Sequence, residues 1–194
     1  MKNKLSFILI SIFVLVSLSA LKSSAQGFTA GDNVIGVGIG LGSTNSVPYS
    51  SSTPALSVQY EHGNWIVGGP GVISLGAFIA YKSYSYDGIY PNTIYSQKWT
   101  YMILGFRGYY HYTGLKNSKF DPYGGLMLSY NIVSFSYSSN NPFYDYQFGH
   151  NTSASGFDFS LFLGGRYYFS DTWAVYGELG FGNSILTIGA AYKF

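Results

Sequence analysis

From Asp32 to Gly42 the chain reads DNVIGVGIGLG, with Ile35, Val37, Ile39 and Leu41 alternating with Gly36, Gly38, Gly40 and Gly42. A period of two marks a β-strand whose two faces meet different surroundings. The same rhythm returns in LSVQYEH, VISLGAFIAYKSY, WTYMILGFRGYYHY, YGGLMLSYNIVSF, GFDFSLFLGGRYYF, WAVYGELGFG and ILTIGAAYKF, which makes eight segments. The bulky set of each segment goes on one face, as with Leu56, Val58 and Tyr60, or Phe157, Phe159, Leu161 and Leu163. Every charged strand residue then falls on the other face. Glu61, Lys82, Arg107, Asp158, Arg166, Glu178 and Lys193 share it with Ser57, Gln59, Ser74, Ser129, Asn131, Ser160 and Thr187. The bulky face carries no formal charge.

Two kinds of barrel use such alternation, and they are inversions of one another. A water-soluble barrel hides the apolar set inside, whereas a membrane barrel turns it to lipid and keeps the polar set in the lumen. Charged residues make up 9% of this chain, against about 25% in a soluble domain. The polar face is also crowded with Gly36, Gly38, Gly40, Gly76, Gly105, Gly164, Gly180 and Gly189, small residues that suit a narrow interior. The pattern therefore predicts an all-β fold, an eight-stranded antiparallel up-and-down transmembrane β-barrel. Closure removes the sheet edges that lipid does not tolerate.

Connections give the barrel a direction. Segments 43–53, 84–97 and 136–152 are long and rich in Ser, Tyr, Asn and Pro, and are expected as outer loops. Segments 62–70, 113–119 and 170–172 are expected as periplasmic turns, and 182–184 as a tight outer hairpin. Tyr60, Tyr110, Tyr112, Tyr167, Phe169, Trp173, Tyr192 and Phe194 would form an aromatic girdle at the periplasmic interface, with Tyr81 and Trp99 at the outer one.

Residues 1–25 read as a cleaved signal peptide: Lys2 and Lys4, an apolar run from Leu5 to Val16 continuing to Leu21, then Ser23 and Ala25 ahead of Gln26. Residues 26–194 would form one barrel domain. The leader holds Lys2, Lys4 and Lys22, which leaves seven of the ten Lys/Arg against eight Asp/Glu. Nothing in that balance points to nucleic acid. There is no Cys, hence no disulfide and no lipid attachment through one.

In ILTIGAAYKF, Leu186, Ile188, Tyr192 and Phe194 form an alternating apolar row that ends on a ring. It resembles the C-terminal signature by which outer-membrane barrels are recognised for assembly. With GPGVISLGAFIAYKSYS, RGYYHYTG and RYYFSDTWAVYGELGFG, the chain from 27 to 194 resembles the small outer-membrane β-barrels of the OmpA/OmpX type. That resemblance implies export to the outer membrane of a Gram-negative-type envelope. It also implies contact with outer-membrane lipids, lipopolysaccharide and the barrel assembly machinery, and a monomeric, single-domain form with no peptidoglycan-binding domain after Phe194.

Eight strands enclose a lumen that side chains fill. Glu61, Arg107, Arg166 and Glu178 are expected in a shared ion network, with Lys82 and Asp158 on the same face, because isolated buried charge is costly. GVGIGLG keeps strict period two with no helix behind it, so it is a glycine-lined strand and not a phosphate loop. His111-Tyr112-Thr113 resembles the His-x-Ser pair of outer-membrane lipid A deacylases, but Thr replaces Ser and the site falls at the periplasmic end. His150 with Asp145 or Asp87 forms no recognisable catalytic set. No catalytic residues, cofactor or metal are expected. Activity would then lie in the outer loops, where Tyr137, Phe143, Tyr144, Tyr146 and Phe148 offer amphipathic contact area. The expected role is structural or surface-interacting. A passive conduit for small or hydrophobic solutes, or a lipid-modifying enzyme, are the alternatives.

Overall fold

A computed structural model describes residues 27–42, 51–90, 93–115, 117–143, 146 and 152–194. The expected leader lies outside the described residues, as do Tyr144, Asp145, Phe148 and His150. Among the described residues the strands are β1 (Asn33–Leu41), β2 (Ser51–Ser52), β3 (Ala55–Val67), β4 (Gly71–Tyr90), β5 (Thr93–Tyr112), β6 (Phe120–Ser139), β7 (Thr152–Tyr168), β8 (Trp173–Phe181) and β9 (Leu186–Lys193). All pairings are antiparallel, and β1 pairs with both β3 and β9, so that eight strands close into a ring. The short β2 extends the β3 side of the wall past Pro54, with Ser51 opposite Ser85 and Ser52 opposite Tyr84 on β4.

The register fixes the shape. One row of paired residues runs from Val37 through Val58, Ile79, Leu104 and Tyr130 to Phe157 on β7. Followed the other way, Val37 leads through Ala190 and Val175 to Tyr167, ten residues further along the same strand. A closed sheet with that stagger has strands tilted by about 35–45°. At the seam the Phe194 amide donates to the Asn33 carbonyl at 2.9 Å, and the Asn33 amide donates to the Phe194 carbonyl at 3.1 Å.

The wall is of very uneven height. β1 and β8 have nine residues each and β9 eight, whereas β4, β5 and β6 have twenty each. The chain termini of the ring share one end with the connections 68–70, 113–119 and 169–172, and this is called the turn end. The long strands overshoot the opposite end as a wing. Segment 84–97, expected as a loop, is therefore mostly strand, since β4 runs to Tyr90 and β5 starts at Thr93. The segment expected as a loop at 136–152 likewise begins as strand up to Ser139. The turn expected at 62–70 shrinks to 68–70, because β3 continues through a bulge at Asn64. There the Asn64 side-chain oxygen accepts the Leu75 amide at 2.9 Å. The tight hairpin between β8 and β9 is present, with Gly182 at φ 120°, where an L side chain would be strained.

Below the wing the outer wall is mostly apolar, with Phe157 78% and Leu163 68% exposed, and with Asn33, His62 and Ser155 as polar exceptions. The inner face holds Glu61 and Arg166, which are 1% and 0% exposed. A last apolar outer row, Tyr81–Met102–Ile132, is followed one step up by Ser83–Thr100–Ser134–Ser153. Above that step the outer face stays mostly polar, with Ser85, Asp87, Ser96, Lys98, Ser136 and Ser138. At about 3.3 Å per residue and a tilt of about 40°, Gly71 to Tyr81 rises about 25 Å, the height of a lipid-facing barrel belt.

Candidate functional site

The lumen of the belt is packed in tiers. At the turn end, β3 supplies Glu61, β4 Ser74, β5 His111, β6 Asp121 and β7 Arg166, all facing inward by strand parity. Glu61 accepts from the Arg166 guanidinium and from the Ser74 hydroxyl, the latter at 2.5 Å. His111 Nε2 is 2.5 Å from Glu61 Oε1 and its Nδ1 is 2.7 Å from Asp121 Oδ1. With a carboxylate oxygen on each ring nitrogen, the geometry calls for two N–H donors, so His111⁺ and Arg166⁺ balance Glu61⁻ and Asp121⁻.

Phe28 closes this tier from below. Its ring stacks on His111 at 4.1 Å between centroids and is 3% exposed. The segment that carries it is pinned by Gly31 N to Gly63 O at 2.9 Å, by Gly63 N to Asp32 O at 2.9 Å, and by Thr29 N to Asp32 Oδ2 at 2.9 Å. Any Cβ at Gly63 would collide with the Thr29 carbonyl oxygen, so this approach requires glycine. Lys193 Nζ reaches the Gly27 carbonyl at 3.4 Å and Asp32 at 3.6 Å.

In the middle tier Arg107 donates to Gln59 and, at 2.8 Å, to Glu178. Its guanidinium lies 3.7 Å from the Phe162 ring centre. The Tyr123 hydroxyl donates to Glu178 at 2.9 Å while its ring sits 4.7 Å from the Arg166 guanidinium, linking the tiers. Tyr176 lies across Gly38 and Gly189, where a Cβ would collide with its phenol. The four charges expected in one network thus form two ion pairs, Arg166–Glu61 and Arg107–Glu178, joined through Tyr123. Lys82 stands apart at the upper end, donating to the Asn183 carbonyl at 3.0 Å beneath the rings of Tyr84 and Tyr101. Asp158 accepts from Asn131 at 3.3 Å and from the Phe159 amide at 2.8 Å.

Ser74, His111 and Asp121 are hydrogen-bonded in the order a hydrolase uses, with Ser74 Oγ 3.1 Å from His111 Nε2. Their setting is not that of a nucleophile. All three are buried, Glu61 occupies the same serine and imidazole nitrogen, and Phe28 covers the imidazole. Among the described residues no group of three or more His, Cys, Asp or Glu side chains is arranged to hold a metal ion.

Of the residues expected as a loop surface, Phe143 and Tyr146 are 67% and 88% exposed, whereas Tyr137 lies within β6 on the inner face of the wing. Trp99, expected in an outer lipid-facing girdle, also faces inward, paired with Tyr84 and Phe135. Its parity with Arg107 is what the sequence offered against that expectation. Leu186, Ile188, Tyr192 and Phe194 do face outward, and the Tyr192 ring lies between Trp173 and Phe194 at 5.0 and 6.1 Å.

A closed ring of eight tilted strands, apolar outside and filled by paired polar groups inside, has the fold of the small outer-membrane β-barrels of the OmpA/OmpX type. No protein-family model and no curated protein matches the chain. Solved structures do. One is the attachment invasion locus protein Ail of Yersinia pestis in complex with the heparin analogue sucrose octasulfate, at 12% identity and TM-score 0.54, covering 86% of this chain and 100% of that one. Another is the N-terminal β-barrel domain of Pseudomonas aeruginosa OprF, at 11% identity and TM-score 0.50, with the same coverage. At such identities the likeness is one of fold.

Proposed function

We propose that this chain is an integral outer-membrane barrel that presents a binding surface at the cell exterior, with no catalytic role. The observation that carries the reading is the wall: charges sequestered inside a belt about 25 Å high, and an outer face that turns polar in one step above Tyr81–Met102–Ile132. The belt then sits in the bilayer, the turn end faces the periplasm, and the wing stands outside. The outward row Leu186 to Phe194 serves recognition by the assembly machinery, and the barrel works as a monomer among lipids and lipopolysaccharide.

A surface-interaction role is supported by exposed rings at the tall end, Phe143 and Tyr146 among them. It is also supported by a protein of the same fold whose structure holds a heparin analogue. Proteinase K added to intact cells tests the placement. Cleavage between β4 and β5 or between β6 and β7, with the belt protected and migration still heat-modifiable, is the expected result. Protection of both connections would overturn it. Refolded protein in planar bilayers should show no porin-like conductance, because the tiers of Arg107 and Arg166 close the lumen; a porin-sized current would favour the conduit instead.

A further inference from the structure

Above the step in polarity the inner face changes character as well. Directly paired residues share a face, so the register places Tyr84, Trp99 and Phe135 in one inward row and Gln97 and Tyr137 in the next, beside Tyr86. These rings touch one another across the strands. Tyr84 meets Tyr101 edge-on at 5.7 Å, Trp99 meets Phe135 at 5.3 Å, and Tyr95 stacks on Tyr137 at 6.1 Å with 18° between planes. Tyr84 is buried and the others are half-buried. Among the described residues the facing wall ends low, at Leu41, Phe181 and Leu186. The belt keeps its polar groups inside, while the wing reverses this and turns its rings inward.

We propose that this inner face of the wing is a carbohydrate-binding platform for a neutral oligosaccharide, an inference that rests on the wing standing outside the membrane. Three features select that ligand. The face is aromatic, with Val133 as its aliphatic exception between residues 133 and 139 of β6, and flat π-faces match the C–H faces of pyranose rings. Gln97, Ser139 and the phenol hydroxyls lie among the rings, and sugar hydroxyls need such donors and acceptors. Charge points to a neutral ligand: the Lys82 ammonium is held under the Tyr84 and Tyr101 rings on the Asn183 carbonyl, and above it and Asp158 the inward rows carry no formal charge, because Lys98 and Asp87 fall on the opposite face. Rings fixed by cross-strand register also lose little freedom on binding.

The experiment uses the full barrel refolded into phosphatidylcholine nanodiscs, free of sugar-based detergent. The probes are maltohexaose and cellohexaose, with heparin as the polyanionic counterpart, read by saturation-transfer NMR and calorimetric titration. Binding of at least one hexaose is expected, weakened about tenfold or more in Trp99→Ala and Tyr137→Ala and unchanged in Ser136→Ala on the opposite face. Should the alanine variants fail to fold, Tyr95→Leu and Tyr137→Leu keep apolar volume without the ring and are expected to show the same loss. No transfer to either hexaose, tighter binding of heparin, or binding indifferent to the ring substitutions would overturn the platform. The nanodisc titration does not depend on cellular location. A silent titration with a protease-accessible wing therefore overturns the platform alone, and hexaose binding by a wing that proteases cannot reach on intact cells overturns the placement alone.

Discussion

The lower and upper halves of β4, β5 and β6 are the same strands in the same unbroken register, yet they are built inside out relative to each other. In the belt the outward positions are Ile79, Leu104 and Tyr130 and the inward ones include Arg107, Ser74 and Asp121; in the wing the outward positions are Ser85, Lys98 and Ser136 and the inward ones Tyr84, Trp99 and Phe135. Backbone hydrogen bonding is indifferent to this exchange. Solvent is not: apolar area exposed to water costs about 25 cal/mol per Å², so each half turns most of its apolar side away from water, with Ile89 and Ile94 as the exceptions on the outer face of the wing. On the proposed placement that direction is lipid for the belt, and for the wing it is its own concavity.

Substitutions can break this contrast. Glu61→Ala leaves Asp121 to face both Arg166 and His111 in the lumen, and urea titration in liposomes should show a loss of about 3 kcal/mol. Phe106→Arg, on the lipid side of mid-belt, should cost about 2–4 kcal/mol in the same assay. Phe28→Ala removes the ring over His111 and should cost about 2 kcal/mol, the value for burying one large apolar side chain, with faster amide exchange at Gly31 and Gly63. Ser136→Arg places the same cation as Phe106→Arg on the outer face of the wing and should change stability by less than about 0.5 kcal/mol. Equal costs for the two arginines would erase the distinction between belt and wing.

Period two survives over twenty residues of β4, β5 and β6, which is why the sidedness of the wall can be read from the chain alone. Its height cannot be read so easily. SYSYDGIY and the stretch ahead of Trp99 look like loop by composition, but Tyr84 and Tyr86 alternate with Ser83 and Ser85 as faithfully as any belt strand. What misleads is the expectation that polar residues face inward, and in the wing that expectation reverses. The tendency of rings to gather in girdles points Trp99 outward, although counting by twos from Arg107 turns it inward. Asp121 hides behind Pro122, a residue that commonly ends strands, yet β6 begins at Phe120. Parity names the side on which a charge lies and not its partner, so it does not separate the four charges into two ion pairs. Phe28 has no periodic signal, since its burial depends on a backbone approach to Gly63 from a distant strand.

The packed tiers also set the direction of traffic. Between the concave rings and the turn end stand Phe162 against Arg107, then Arg166 and His111 under Phe28. Whatever the wing holds is anchored on its own side of the barrier. On the proposed placement, such a molecule would be held at the cell surface and not carried inward.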